Sequence, residues 1–272
     1  MLFIFITSKH NTMELDLQGK VIIVTGGAKG IGAGIVKTLA VEKAIPVVIG
    51  RNEEDNKSIV DILNKQSPEV GYVTADLTDP LACKDAVEAI IKKYGRIDGL
   101  VNNAGVNDGI GLAVGNYEDF MASLHKNLVH YYLVAHHALP ELIRSGGSIV
   151  NIGSKTAETG QGGTSGYAAS NGARNALTRE WAVELLPYGI RVNSVIVAES
   201  FTPLYEKWIQ GFPNPEEKLE EITNKIPLGN RMTTVEEIAA TVVFLLSARS
   251  SHTTGQLIHV DGGYVHLDRA IK

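Results

Sequence analysis

The sequence predicts an α/β fold, a doubly wound parallel sheet of seven strands with helices on both faces, and three observations carry that prediction. Short β-branched runs alternate with segments of helical periodicity from Lys20 to Val260. The first run meets a glycine cluster at once. Several later runs end in small or hydrogen-bonding residues. Nearly continuous apolar strands separated by helices build right-handed βαβ units in a sheet covered on both faces. Ligands then bind beyond the carboxyl ends of the strands, where the strand order switches direction.

Val21 to Val24 reads as a strand, and Gly26, Gly30 and Gly32 turn it into a helix over Ile31 to Glu42, where Ile35, Val36 and Leu39 recur at helical spacing. Glycines there let the first helical amides and the positive end of the dipole face a phosphate. Pro46 to Ile49 is a second strand, Asn52 to Lys65 a helix, and Val70 to Thr74 a third strand. Asp79 caps a helix reaching Tyr94, Gly99 to Val101 ends a fourth strand, and Asn116 opens a long helical stretch past Pro140. The remaining strands are Ser148 to Ile152, Arg191 to Ile196 and Leu257 to Val260, with helices over Ser165 to Leu186 and Val235 to Leu246. Ser200 to Leu228, rich in proline and aromatics, interrupts the alternation as a helical flap. Residues 13–272 therefore read as a single Rossmann-type domain; Met13 looks like an alternative start, which makes residues 1–12 an extension or expression remnant.

The chain has 272 residues, 44% of them hydrophobic, and a formal net charge of -5, which fits an ordinary soluble globular protein and not a nucleic-acid-binding surface. The apolar run near the amino terminus is too short to span a membrane. One cysteine, Cys83, rules out an internal disulfide and fits a cytoplasmic protein, with the thiol as a small packing residue. The eight histidines show no ligand spacing, so no metal site is expected.

Asp76 follows the third strand and Asn102-Asn103-Ala104-Gly105 the fourth, while Ser154 ends the fifth and Tyr167 lies 13 residues beyond it. With TGGAKGIG (25–32), RVNSV (191–195) and VDGG (260–263), these motifs make the chain resemble the short-chain dehydrogenase/reductase family from Leu17 to about Tyr264. The resemblance implies that Gly26, Lys29, Gly30 and Ile31 hold the phosphates of a dinucleotide. It places Asp76 and Leu77 by the adenine, Asn103, Ala104 and Gly105 beside a ribose, and Thr202 among the cofactor contacts. Tyr167 would be the acid/base, Ser154 would bind the substrate oxygen, and Asn127 would hold a water in the proton relay. A homotetramer or homodimer is implied as well.

Two positions depart from that pattern. The loop after the sixth strand reads Val197-Ala198-Glu199 where the family has Pro-Gly. More consequentially, Asn171 stands where the family carries a lysine four residues after the tyrosine. On a helix these two positions share a face. A cation ~4 Å from the phenol, at an effective dielectric of ~20, contributes about 4 kcal/mol, or up to about 3 pKa units. Asparagine supplies none of that charge, although it can still bond a ribose hydroxyl. The motif positions alone therefore predict a weakened enzyme, improved by Asn171→Lys; the alternative is a cofactor-binding sensor or scaffold.

Gly50 ends the second strand where NAD-preferring members carry an acid, and Arg51 follows it. Together with Lys29 this favours NADP, with NAD as the alternative. The segments GGYVHLDR and VAESFTPLY resemble L-fucose dehydrogenase-like members, which oxidise a sugar to its lactone. Lys155, Gln161 and Glu199 are the expected polar partners of a sugar; a steroid or 3-oxoacyl substrate is the competing expectation.

Overall fold

The computed structural model describes residues 13–65 and 69–268, so the amino-terminal extension lies outside it. Strand and helix alternate as β1 (Val21–Thr25), α1 (Gly30–Val41), β2 (Ile45–Gly50), α2 (Glu53–Leu63), β3 (Gly71–Thr74), α3 (Pro80–Tyr94) and β4 (Gly99–Asn102). The second half runs α4 (Tyr117–Leu124), α5 (His130–Ser145), β5 (Ser148–Ser154), α6 (Ser165–Glu184), β6 (Arg191–Val197), α7 (Pro203–Ile209), α8 (Pro215–Thr223), α9 (Val235–Leu246) and β7 (Leu257–Val260). The expected elements are present with ends moved by one or two residues, and α5 runs past Pro140 to Ser145 as expected.

All seven strands are parallel, in the order β3-β2-β1-β4-β5-β6-β7. The order reverses between β1 and β4, so a crevice opens at the carboxyl ends of those two strands. Alternate residues of β1 feed two separate cores. Ile22 and Val24 pack with α1, α2 and α9 on one face. Val21 and Ile23 pack with α3, α5 and α6 on the other.

Helix starts follow local chemistry. Asn52, Asp79 and Asn116 cap α2, α3 and α4 through side-chain oxygens, and Thr234 with Glu237 forms a capping box on α9. The segment from Asn116 onward is not one regular helix. A π-helical turn, His125–Val129, joins α4 to α5 and carries Asn127 at its centre. Such turns widen the backbone spiral and redirect carbonyls. Residues 200–228 hold α7 and α8, joined by a short bend, so the proline-rich stretch is helical as expected.

Candidate active site

The switch point is held open by glycine. Gly26 has a φ of +63°, and a Cβ on Gly32 would lie 2.2 Å from the carbonyl oxygen of Gly26, so neither position accepts a side chain without the turn moving. Thr25 fastens this turn to the end of β4. Its Oγ1 accepts from the amides of Asn103 and Ala104 at 2.9 and 3.0 Å, while Asn103 Nδ2 donates to the Thr25 carbonyl at 2.9 Å. The first turn of α1 thus faces a cavity of about 690 Å³. Its amide dipoles favour an anion there. The cradle fits the pyrophosphate of a dinucleotide.

The cavity gathers most of the residues singled out from sequence. Gly26, Lys29, Gly30 and Ile31 line one end beside Arg51, Asp76 and Leu77. Asn103, Ala104, Gly105, Thr202, Ser154 and Tyr167 line it as well. Asp76 is fixed by an Asx turn, accepting from the Thr78 amide at 3.0 Å and its hydroxyl at 2.8 Å. Those two bonds hold its carboxyl below the usual carboxylate range. At the end of β2, a Cβ on Gly50 would lie 2.5 Å from Asn56 Oδ1. Asn56 donates to the Gly50 carbonyl at 2.8 Å, so an acidic side chain could enter only by displacing it. Lys29 pairs with Asp55 at 2.7 Å, leaving Arg51 as the cation with no ion pair among the described residues at that end.

Asn127 is completely buried. Its Oδ1 accepts from the Val106 amide at 2.7 Å and its Nδ2 donates to the Ser123 carbonyl at 3.0 Å, which leaves the Asn127 carbonyl to accept from another group. Asn171 is buried too, with Nδ2 donating to the Tyr167 carbonyl at 2.9 Å. It is not the exposed surface residue of a helix, since its side chain is enclosed between Tyr167 and Arg174.

Arg174 is the residue that motif matching missed. It lies three residues beyond Asn171 on the same helix face, is 3% exposed and lines the cavity. Its Nε donates to the Asn127 carbonyl at 2.7 Å, with Nη2 on the same oxygen. Nη1 donates to Asn171 Oδ1 at 3.0 Å and to the Ile152 carbonyl at 3.2 Å. The guanidinium rests 4.2 Å over the Tyr131 ring. A buried cation therefore lies one helical turn beyond Asn171, bonded to it.

The three expected sugar ligands are placed as follows. Lys155 forms a tight, nearly buried ion pair with Glu199 and lies 4.0 Å over the Tyr264 ring, while Gln161 is exposed. None of the three lines the cavity. The lining of the cavity that holds Ser154 and Tyr167 includes the polar Asn107, Lys126, His130 and Tyr205 and the apolar Val106, Val197 and Leu204. For a metal, among the described residues Glu158, His259 and His266 bring donor atoms within 4.8 Å of one another, outside the cavity. The fold creates this grouping from positions that sequence spacing keeps apart.

Comparison with known proteins decides the family. The family model for enoyl-(acyl carrier protein) reductase matches residues 26–265. The chain belongs to the short-chain dehydrogenase/reductase family. It is 37% identical over 252 residues to the 3-oxoacyl-(acyl-carrier-protein) reductase FabG of Thermotoga maritima, covering 92% of this chain and 100% of that one. It is 34% identical over 252 residues to the L-fucose dehydrogenase of Bos taurus, covering 92% and 91%. The crystal structure of the Cj0485 dehydrogenase superposes with a TM-score of 0.91 at 48% identity, over 96% of this chain and 99% of that one. The protein is an NAD(P)-dependent oxidoreductase acting on a small molecule.

Proposed function

We propose that the protein oxidises the hydroxyl of a sugar, in the manner of an L-fucose dehydrogenase, with NADP as the preferred cofactor. The observation that carries the reading is the convergence of Ser154, Tyr167 and the glycine cradle on one cavity. Gly26, Gly30 and Ile31 would hold the dinucleotide, which would supply the hydride acceptor. Ser154 would orient the substrate oxygen, and Tyr167, as the general base, would take the hydroxyl proton onto its own oxygen. Thr156 supports Ser154, donating from its hydroxyl to Ser154 Oγ at 3.1 Å.

A sugar is supported by the polar groups on the wall, Asn107, Lys126 and Tyr205, since each hydroxyl needs a partner once desolvated. The likeness to L-fucose dehydrogenase agrees. The likeness to a 3-oxoacyl reductase keeps the acyl alternative in view, and Leu204 and Val197 are the residues that would serve it. NADP is supported by Arg51 beside a Gly50 that Asn56 crowds against side chains. We also propose a homodimer or homotetramer, because Tyr117 on α4, Tyr132 on α5 and Val183 on α6 leave apolar surface exposed.

One preparation tests all of this. NADP+ should bind at least tenfold more tightly than NAD+, Arg51→Ala should erase that preference, and an aldose panel including L-fucose should generate reduced nicotinamide. Turnover of 3-oxoacyl thioesters with no aldose turned over would overturn the substrate class; equal affinity for NAD+ would overturn the cofactor preference. Sedimentation as a monomer would contradict the assembly.

A further inference from the structure

We propose that Glu158, His259 and His266 form a binding site for a divalent transition-metal ion of the zinc class, which fastens the carboxyl-terminal tail to the loop that follows Ser154. The three residues lie outside the cavity, so the proposal stands whatever the substrate is.

Three separate stretches of chain deliver the donors. On β7, which forms one edge of the sheet, Ile258 and Val260 pack into the core shared with α9. Side chains alternate along a strand, so His259 is turned to the opposite face. The chain leaves β5 through a short 3-10 turn, Lys155–Ala157, after which the amides of Glu158 and Thr159 both donate to the Lys155 carbonyl, at 2.9 and 2.8 Å. Those bonds fix the backbone of Glu158. In the tail, Asp261 accepts from the amides of Gly263 and Val265 at 2.8 and 2.9 Å, which folds the chain back and sets the His266 ring against that of His259, centroids 4.3 Å apart. A second contact joins the loop to the tail, with Lys155 Nζ 4.0 Å over the Tyr264 ring.

The spacing suits a small cation. His259 Nε2 lies 3.2 and 3.1 Å from the two carboxylate oxygens of Glu158, and His266 Nε2 lies 4.0 Å from Oε2. Donor atoms of all three residues fall within 4.8 Å of one another. A tetrahedral ion with bonds of about 2.0–2.2 Å needs neighbouring donors about 3.3–3.6 Å apart, so the set is complete to within about an ångström. The His266 side chain is 62% exposed and free of core packing that would oppose so small a turn. Hydrogen bonding alone accounts for less of the arrangement. At 4.0 Å, His266 Nε2 is beyond hydrogen-bond reach of Glu158, and a partly exposed His–Glu pair stabilises little by itself. An ion between the three binds both imidazoles and the carboxylate, with a fourth position open to water. Two imidazoles select a transition metal over magnesium or calcium, which take oxygen ligands.

The consequence is mechanical. Glu158 lies four residues beyond Ser154, and the tail also meets the helical flap, the Leu228 amide donating to the Gly262 carbonyl at 3.0 Å. The donors come from positions 158, 259 and 266, so only the folded chain assembles them, and binding there stabilises the fold.

Tag-free protein, stripped with a chelator, is titrated calorimetrically with ZnCl2 and, separately, with MgCl2. Zinc should bind at one equivalent per chain and raise the midpoint of thermal unfolding, while magnesium should not bind. Glu158→Gln, His259→Gln and His266→Gln should each weaken zinc binding at least about tenfold, since even groups that only orient ligands contribute that much. Amide exchange over residues 261–268 should slow with zinc in the unmodified protein and not in His266→Gln. Absence of zinc binding in the unmodified protein overturns the proposal whether or not any variant folds. So does zinc binding that the folded variants retain in full. Magnesium binding as tight as zinc overturns the metal class, and unchanged exchange in the zinc-bound protein overturns the fastening of the tail. None of these measurements needs substrate or cofactor, so their outcome is independent of the aldose assay.

Discussion

His130 is neutral in the folded protein because its ring is buried against the Arg174 guanidinium, with its pKa pushed down to about 4 from 6.5. The sign of the consequence follows directly. Between these two values the unfolded chain binds a proton that the folded chain does not, so stability falls as pH drops through that window. The loss attributable to this residue is on the order of 3 kcal/mol. Denaturant unfolding across pH 4 to 7 should show that slope, and His130→Gln should flatten it; an unchanged slope would contradict a neutral His130. The same corner of the site shows what the sequence could and could not convey. Tyr167, Ser154 and the glycine turn were readable because each motif is local. Arg174 was not, because its meaning depends on which face of α6 is buried. The available signal was an arginine at the same helical phase as Tyr167, in a helix that must pack on a sheet.

At the scale of elements, α6 turns a polar face inward. Ser170, Asn171, Arg174, Asn175 and Thr178 are all buried on it. Burying such groups is costly unless they are bonded, and the helix meets that condition at four of the five, while Asn175 Oδ1 is left without a partner. Ser170 Oγ donates to the Gly166 carbonyl at 2.9 Å, Thr178 Oγ1 to the Arg174 carbonyl at 2.8 Å, and Asn151 Nδ2 to Thr178 Oγ1 at 3.0 Å. Strand and helix identities were legible from apolar period. The π-helical turn was not, since nothing in its composition distinguishes it from a regular helix. At the opposite end of the sheet, Asp98 ties β1 to the approach of β4. It accepts from the Val21 amide at 2.9 Å and from Arg96 Nε at 2.8 Å. Burial would raise its carboxyl, but the bonds from Arg96 and Val21 outweigh it and hold the carboxyl below its ordinary 3.8. Its contribution is therefore complete above about pH 4 and is lost as pH falls through the folded value. Asp98→Ala, which strands the Val21 amide, should cost about 1–3 kcal/mol in chemical denaturation at neutral pH. A cost below about 0.5 kcal/mol would show that water replaces the carboxylate.

For the molecule as a whole, topology converts scattered motifs into one cavity. The reversal of strand order between β1 and β4 sets the glycine turn beside the Asn103–Gly105 turn, and the parallel register of β5 and β6 delivers Ser154 level with Val197. Fold class and this convergence followed from alternation of elements, which is a global property of the sequence. Substrate contacts did not, because Lys155 and Glu199 satisfy each other once the chain is folded. The central claim is that the site is complete without a lysine at 171. It is tested most directly by comparing single-turnover reduction of NADP+ by an aldose in the unmodified protein and in Asn171→Lys across pH 6 to 10. The account predicts hydride transfer in the unmodified protein and no gain, or a loss, in the lysine variant, whose second buried cation repels Arg174. An inert unmodified protein, with transfer appearing by orders of magnitude in Asn171→Lys, would contradict it.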